Sequence, residues 1–138
     1  MTNVVTNIEV SGSVPRLTRR DIAVYARRVL RAVEAEPEEL SIAFVDDESM
    51  RELNRKFRRK NKTTDVLTFP GDAPLLGEIV ISVDQARRQA ADEKHSLATE
   101  VRYLILHGIL HAMGYDHETD HGEMNALELK VRAAVGLD

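Results

Sequence analysis

Apolar residues in the first half of the chain recur in two rhythms. Residues 3–10, NVVTNIEV, alternate loosely between apolar and polar and predict a strand. Ile22, Tyr25, Ala26, Val29 and Val33 then fall three or four apart, the spacing of one helix face, with arginines between them. Thr18 is placed to cap that helix with Asp21 as its capping-box partner, and Pro37 ends it, so a helix is predicted over 18–35. Leu40 to Val45, LSIAFV, is short and continuously apolar, which predicts a buried strand. Asp46 or Asp47 can cap the next helix, whose Met50, Leu53 and Phe57 are expected to face inward.

Further along, Asp65 to Phe69 and Glu78 to Val83 read as two strands separated by a loop containing proline and glycine. Asp84 to Lys94 is helical in composition. Ser96 can cap a greasier helix through VRYLILHGILHAMG, which Gly114 ends by turning through positive φ. Met124, Leu127, Val131 and Val135 predict a last helix over about 122–135. Strands alternate with helices early and helices dominate the second half. The expected fold is α+β (mixed α/β): a four-stranded sheet packed with about five to six helices, one domain over 1–138.

Composition narrows the chemistry. With 138 residues, 43% of them hydrophobic, the chain can bury a core without a staple. It has no cysteine, so any metal must be held by His, Asp or Glu. No apolar run approaches a membrane span, and the amino terminus lacks a basic stretch followed by a greasy one; a cytoplasmic protein is expected. The net charge of −4 hides an asymmetry, because Arg51 to Lys62, RELNRKFRRKNK, carries seven basic residues and one acid. Such a run is either a solvated helix face or a local phosphate-binding patch.

Residues 107–117 read HGILHAMGYDH. His107 and His111 are four apart on a predicted helix, which stacks both imidazoles on one face within reach of a single ion. A turn at Gly114 can swing His117 back toward them. Three converging neutral imidazoles suit Zn²⁺ and leave a fourth tetrahedral position for water, whose pKa zinc brings down to about 7. The bland alternative is a set of satisfied surface histidines. The spacing matches the metzincin pattern H-E-x-x-H-x-x-G-x-x-H at its histidines and glycine, but Gly108 stands where the metalloprotease has its general base. A peptidase would have to recruit another base.

The segments RELNRKFRRKNKTTDVLTFP (51–70), GEIVIS (77–82), HGILHAMGYDH (107–117) and EMNALE (123–128) follow in order and closely resemble the YbeY family of bacterial metal-dependent endoribonucleases. The resemblance extends, more weakly, over nearly the whole chain. It implies a mixed four-stranded sheet surrounded by helices and one zinc ion on His107, His111 and His117. It also implies hydrolysis of single-stranded RNA, with roles in maturing the 3′ end of small-subunit ribosomal RNA and in ribosome quality control. Its implied partners are that RNA and ribosome-associated proteins. The family's functionally important arginine falls on Arg58. Thr63 and Thr68 depart from it, standing where Pro and Ser are usual.

Arg58 is therefore the expected catalytic residue, a guanidinium placed to stabilise charge developing on phosphate. Asp116 could orient an imidazole or cap the last helix, and Met124 could sit beneath the metal or in the core. The rival from another class is a non-catalytic, zinc-stabilised RNA-binding module in which His121 closes the coordination sphere. Against it, the basic run has only Phe57 as an aromatic, and Phe57 is expected inside, so no stacking platform is visible.

Overall fold

The structure, a computed structural model, describes residues 6–59, 64–116 and 120–137. Their elements run β1 (Asn7–Ser11), α1 (Arg19–Ala32), β2 (Glu39–Val45), α2 (Asp47–Arg58), β3 (Val66–Pro70), β4 (Leu75–Ser82), α3 (Val83–Asp92), α4 (Leu97–Ala112) and α5 (Glu123–Val135). The fold is the expected α+β type, with five helices among the described residues. The beginning of the strand expected over 3–10 lies outside them.

Local chemistry sets most boundaries. Thr18 and Asp21 form the reciprocal capping box of α1, each side chain taking the other's main-chain N–H at 3.0 Å. Asp46 rather than Asp47 caps α2, through Ser49 N–H at 2.8 Å. Asp47 instead ties α2 to the start of α3: its N–H donates to Asp84, its Oδ1 accepts from Ser82, and its Oδ2 pairs with Arg88 at 2.7 Å. Ser96 caps α4, and the chain leaves that helix at Gly114 with φ of 102°.

The sheet order is β1-β2-β4-β3, parallel across the first three strands and antiparallel at the β3 edge. The alternation in β2 assigns its faces: Leu40, Ile42 and Phe44 enter the main core with α1, α4 and α5, while Ala43 and Val45 face α2. Central β4 is apolar on both sides, with Ile79 and Ile81 in the main core and Val80 under Met50 of α2. Met124 is fully buried in that main core.

Phe57 departs from expectation. It is 56% exposed, with its ring edge-on to Phe69 at 5.2 Å between centroids. Helix α2 holds the sheet through Met50 and Leu53, and Phe57 in its last turn meets the sheet at Phe69, near the end of the edge strand. Helical spacing gave the correct side of α2 but not the place where the helix outruns its partner.

Candidate functional site

Helix α4 lies on the sheet at Gly108. A β-carbon there would stand 2.7 Å from Ile79 Cγ2, so the helix approaches β4 as closely as it does because this residue has no side chain. Position 108 thus faces the sheet. A glutamate at that point, the base a metalloprotease needs, would have to displace a fully buried isoleucine.

Beside that contact face, one residue before Gly108 and three after it, the helix presents His107 and His111 on a common side. Their Nε2 atoms come to 3.0 Å, with ring centroids 4.5 Å apart. Two nitrogens held at about 2.1 Å from one zinc ion at the tetrahedral angle would be about 3.4 Å apart, so this pair fits a shared ion with little adjustment. Across the other side of His107, Nδ1 lies 3.8 Å from Glu128 Oε1 of α5. That is ion-pair range rather than a direct hydrogen bond. A carboxylate there favours a proton on Nδ1 and leaves the Nε2 lone pair for a cation.

Both histidines line a cleft of about 610 Å³ whose other walls are Arg58, residues Thr64 to Val66, Thr68, Pro70 and Gly114 to Asp116. Arg58 is the last residue of α2 and is exposed; Arg59 follows as a left-handed cap with φ of 57°. The cleft is thus bounded by basic α2, by edge strand β3 and by α4.

Asp65, on one wall, begins a polar chain. Asp65 Oδ1 accepts Val66 N–H at 2.8 Å, and the Gln89 amide reaches both Asp65 Oδ2 and Glu100 Oε2 at 3.1 Å. Glu100, nearly buried, meets His95 Nε2 at 2.6 Å, and His95 in turn stacks on Tyr103. These contacts pin the start of β3 to α3 and α4, which fixes one wall of the cleft.

The structure therefore brings His107, His111 and Arg58 into one cleft, together with Asp116. The third expected ligand, His117, lies outside the described residues, as do Lys60 and Thr63. Among the described residues no group of three His, Asp or Glu side chains converges as a metal site. Asp120, not Asp116, serves the start of α5, accepting from Gly122 and Met124 N–H at 2.9 Å each. His121 is exposed in the turn before α5. Glu128 and Gln89 were not singled out from sequence; Glu128 closes the EMNALE segment, but nothing local links either residue to the cleft. The exposed Phe57 also removes one objection to an RNA-binding surface, since the basic helix does carry an accessible aromatic. No helix among the described residues is long and apolar enough to cross a membrane.

Comparison with known proteins agrees with this architecture. The family model described as Endoribonuclease YbeY matches residues 7–136. Among curated proteins named Endoribonuclease YbeY, that of Solibacter usitatus is 43% identical over 121 residues, covering 88% of this chain and 82% of its own. That of Aquifex aeolicus is 48% identical over 109 residues, covering 75% of this chain and 73% of its own. The solution structure of a Thermotoga maritima protein superposes with a TM-score of 0.67 at 26% identity, covering 94% of this chain and 89% of that one. With a family match over residues 7–136 and relatives of this identity and coverage, the chain belongs to the endoribonuclease YbeY family.

Proposed function

We propose that the cleft is the active site of a zinc-dependent endoribonuclease acting on single-stranded RNA. Its expected setting is cytoplasmic maturation of the small-subunit ribosomal RNA 3′ end and ribosome quality control, with ribosome-associated proteins as partners. The observation that carries the reading is the His107–His111 pair, Nε2 to Nε2 at 3.0 Å, opening into a cleft that Arg58 also lines. Family membership supports it from an independent direction.

His107, His111 and His117 would hold the ion. Zinc so bound supplies positive charge and a water that ionises near neutral pH. The remaining work falls to side chains of this chain. Arg58 can grip two phosphate oxygens at once and oppose the negative charge that grows on them as the P–O bond breaks. Glu128 keeps the His107 ring turned so that Nε2 faces the cleft. Gly108 supplies no carboxylate at the position after the first histidine, where the metalloprotease pattern has its general base, which sets this site apart from that arrangement.

The test is single-turnover cleavage of an end-labelled single-stranded RNA before chelation, after it, and after zinc is restored. Cleavage should vanish and return with the metal. Cleavage that survives complete removal of metal would refute the zinc-dependent reading.

A further inference from the structure

Among the described residues, strand β3 lies at one edge of the sheet and pairs with β4 alone. Along an antiparallel pair, residues alternate between those whose main-chain groups bond the partner strand and those whose groups point away. The two ends of β3 fix the phase. Ser82 N–H donates to Asp65 C=O, and Gly71 N–H donates to Leu76 C=O, both at 2.9 Å. The register between these points is regular, so Asp65, Leu67, Phe69 and Gly71 face β4, and the main-chain groups of Val66, Thr68 and Pro70 point outward. Those three residues line the cleft beside Arg58, His107 and His111.

This outward edge is poorly suited to receive another β-strand. Pro70 has no N–H, and Val66 N–H is taken by Asp65 Oδ1. Only Thr68 presents both an outward N–H and an outward C=O, with neither engaged among the described residues. An added peptide strand would find one donor where a regular ladder offers one at every second residue. One donor beside one acceptor instead matches a planar group carrying the complementary pair. The Watson–Crick edge of an unpaired nucleobase is such a group: in uracil the N3–H donor sits beside a carbonyl acceptor.

We propose that the main-chain N–H and C=O of Thr68 take the Watson–Crick edge of one unpaired nucleobase, holding it against β3 beside the phosphate that Arg58 engages. This rests on the reading of the cleft as a ribonuclease site and supplies a physical origin for strand selectivity. In a duplex that base edge is already paired, so the reader finds nothing to bond. The contact is made by main chain, and every base offers an adjacent donor and acceptor on that edge, so it selects single strands without selecting sequence.

The experiment compares labelled oligouridylate with the same oligomer built from N3-methyluridine, whose methyl group removes the donor and blocks the edge. Single-turnover cleavage is followed with the zinc-loaded protein at subsaturating concentration. The methylated RNA should be cut roughly tenfold more slowly, the scale of losing one hydrogen bond and leaving its partner unpaired. Thr68→Pro deletes the outward N–H without touching a β4 bond, and Thr68→Val, of similar shape, retains it. Thr68→Pro should cut oligouridylate about tenfold more slowly than Thr68→Val and should no longer distinguish the methylated RNA. Equal rates on the two RNAs with the natural protein would overturn the proposal, and that arm decides even if Thr68→Pro does not fold. Failure to cut any single-stranded RNA would instead bring down the ribonuclease reading beneath it.

Discussion

Gly108 rests on Ile79 so closely that a β-carbon at 108 would stand 2.7 Å from Ile79 Cγ2 and 3.0 Å from its Cδ1. Ile79 is fully buried in β4, and this contact sets the height of α4, hence of His107 and His111, above the sheet. Gly108→Ala should therefore destabilise by about 1–3 kcal/mol through overpacking, more than the roughly 1 kcal/mol that alanine gains over glycine in a helix. Combined with Ile79→Ala, the two losses should sum to less than their separate values, because one change makes room for the other. Thermal or urea unfolding of the four proteins checks this; strictly additive losses would show that the contact is not what fixes the helix.

Glu128 offers a test of the proposed metal site that leaves the three proposed histidine ligands intact. Replacing it by Gln removes the charge facing His107 Nδ1 and should weaken zinc binding about 10–100-fold, the usual scale for a carboxylate behind a ligating histidine. Competition with a chromophoric chelator measures the affinity directly. Unchanged zinc affinity would make the 3.8 Å approach incidental.

Arg58 and Arg59 are sequence neighbours in different settings. Arg58 lines the cleft, whereas Arg59 is the exposed left-handed residue that ends α2. Arg58→Ala should keep its zinc and lose cleavage by about 10²-fold or more, with only partial recovery in Arg58→Lys. Arg59→Ala should lower RNA affinity modestly and flatten its salt dependence, as a peripheral phosphate contact does. Single-turnover rates with metal content checked for each variant distinguish the two. Equal small losses would reduce the run to a diffuse basic surface.

Tyr25 gives the fold an alkaline limit. Its hydroxyl donates to Arg102 C=O at 2.9 Å, and burial holds its phenol well above the ordinary value. A raised pKa favours the neutral form in the folded state, so this stabilisation is complete below the unfolded pKa near 10 and declines as pH rises past it. Tyr25→Phe should cost about 1 kcal/mol at neutral pH and lose stability less steeply as pH rises above about 10. Melting curves across that range provide the check, and parallel pH profiles for the two proteins would contradict it.

What could be read before the structure was chemistry local in the chain. Thr18 with Asp21, Ser96 and Gly114 each announce a helix end by side-chain reach or positive φ, and all four act there; of the two aspartates that could cap α2, only side-chain geometry picks Asp46. The pairing of His107 with His111 follows from helical geometry alone. Relationships made across the fold were invisible. No residue near β3 declares that it runs antiparallel beside β4, and nothing around Glu128 or Gln89 indicates that each reaches the cleft region from another helix. Phe57 shows the limit of periodicity, which assigns a side of α2 but not how far the neighbouring sheet extends beneath it. Gly108 was legible as a missing base, while its packing reason needed Ile79 in view.

The central claim is that one metal-binding cleft performs RNA cleavage, and a paired measurement on His111→Ala tests it most directly. Zinc content and single-turnover cleavage of single-stranded RNA are measured on the same preparations, with His121→Ala, whose side chain is exposed before α5, as the companion. The natural protein should carry one equivalent of zinc and cut the RNA. His111→Ala should lose both properties while remaining folded, because a core of this size does not need the ion to form. His121→Ala should keep both. RNA cleavage at the natural rate by zinc-free His111→Ala would contradict the account and place the active site elsewhere.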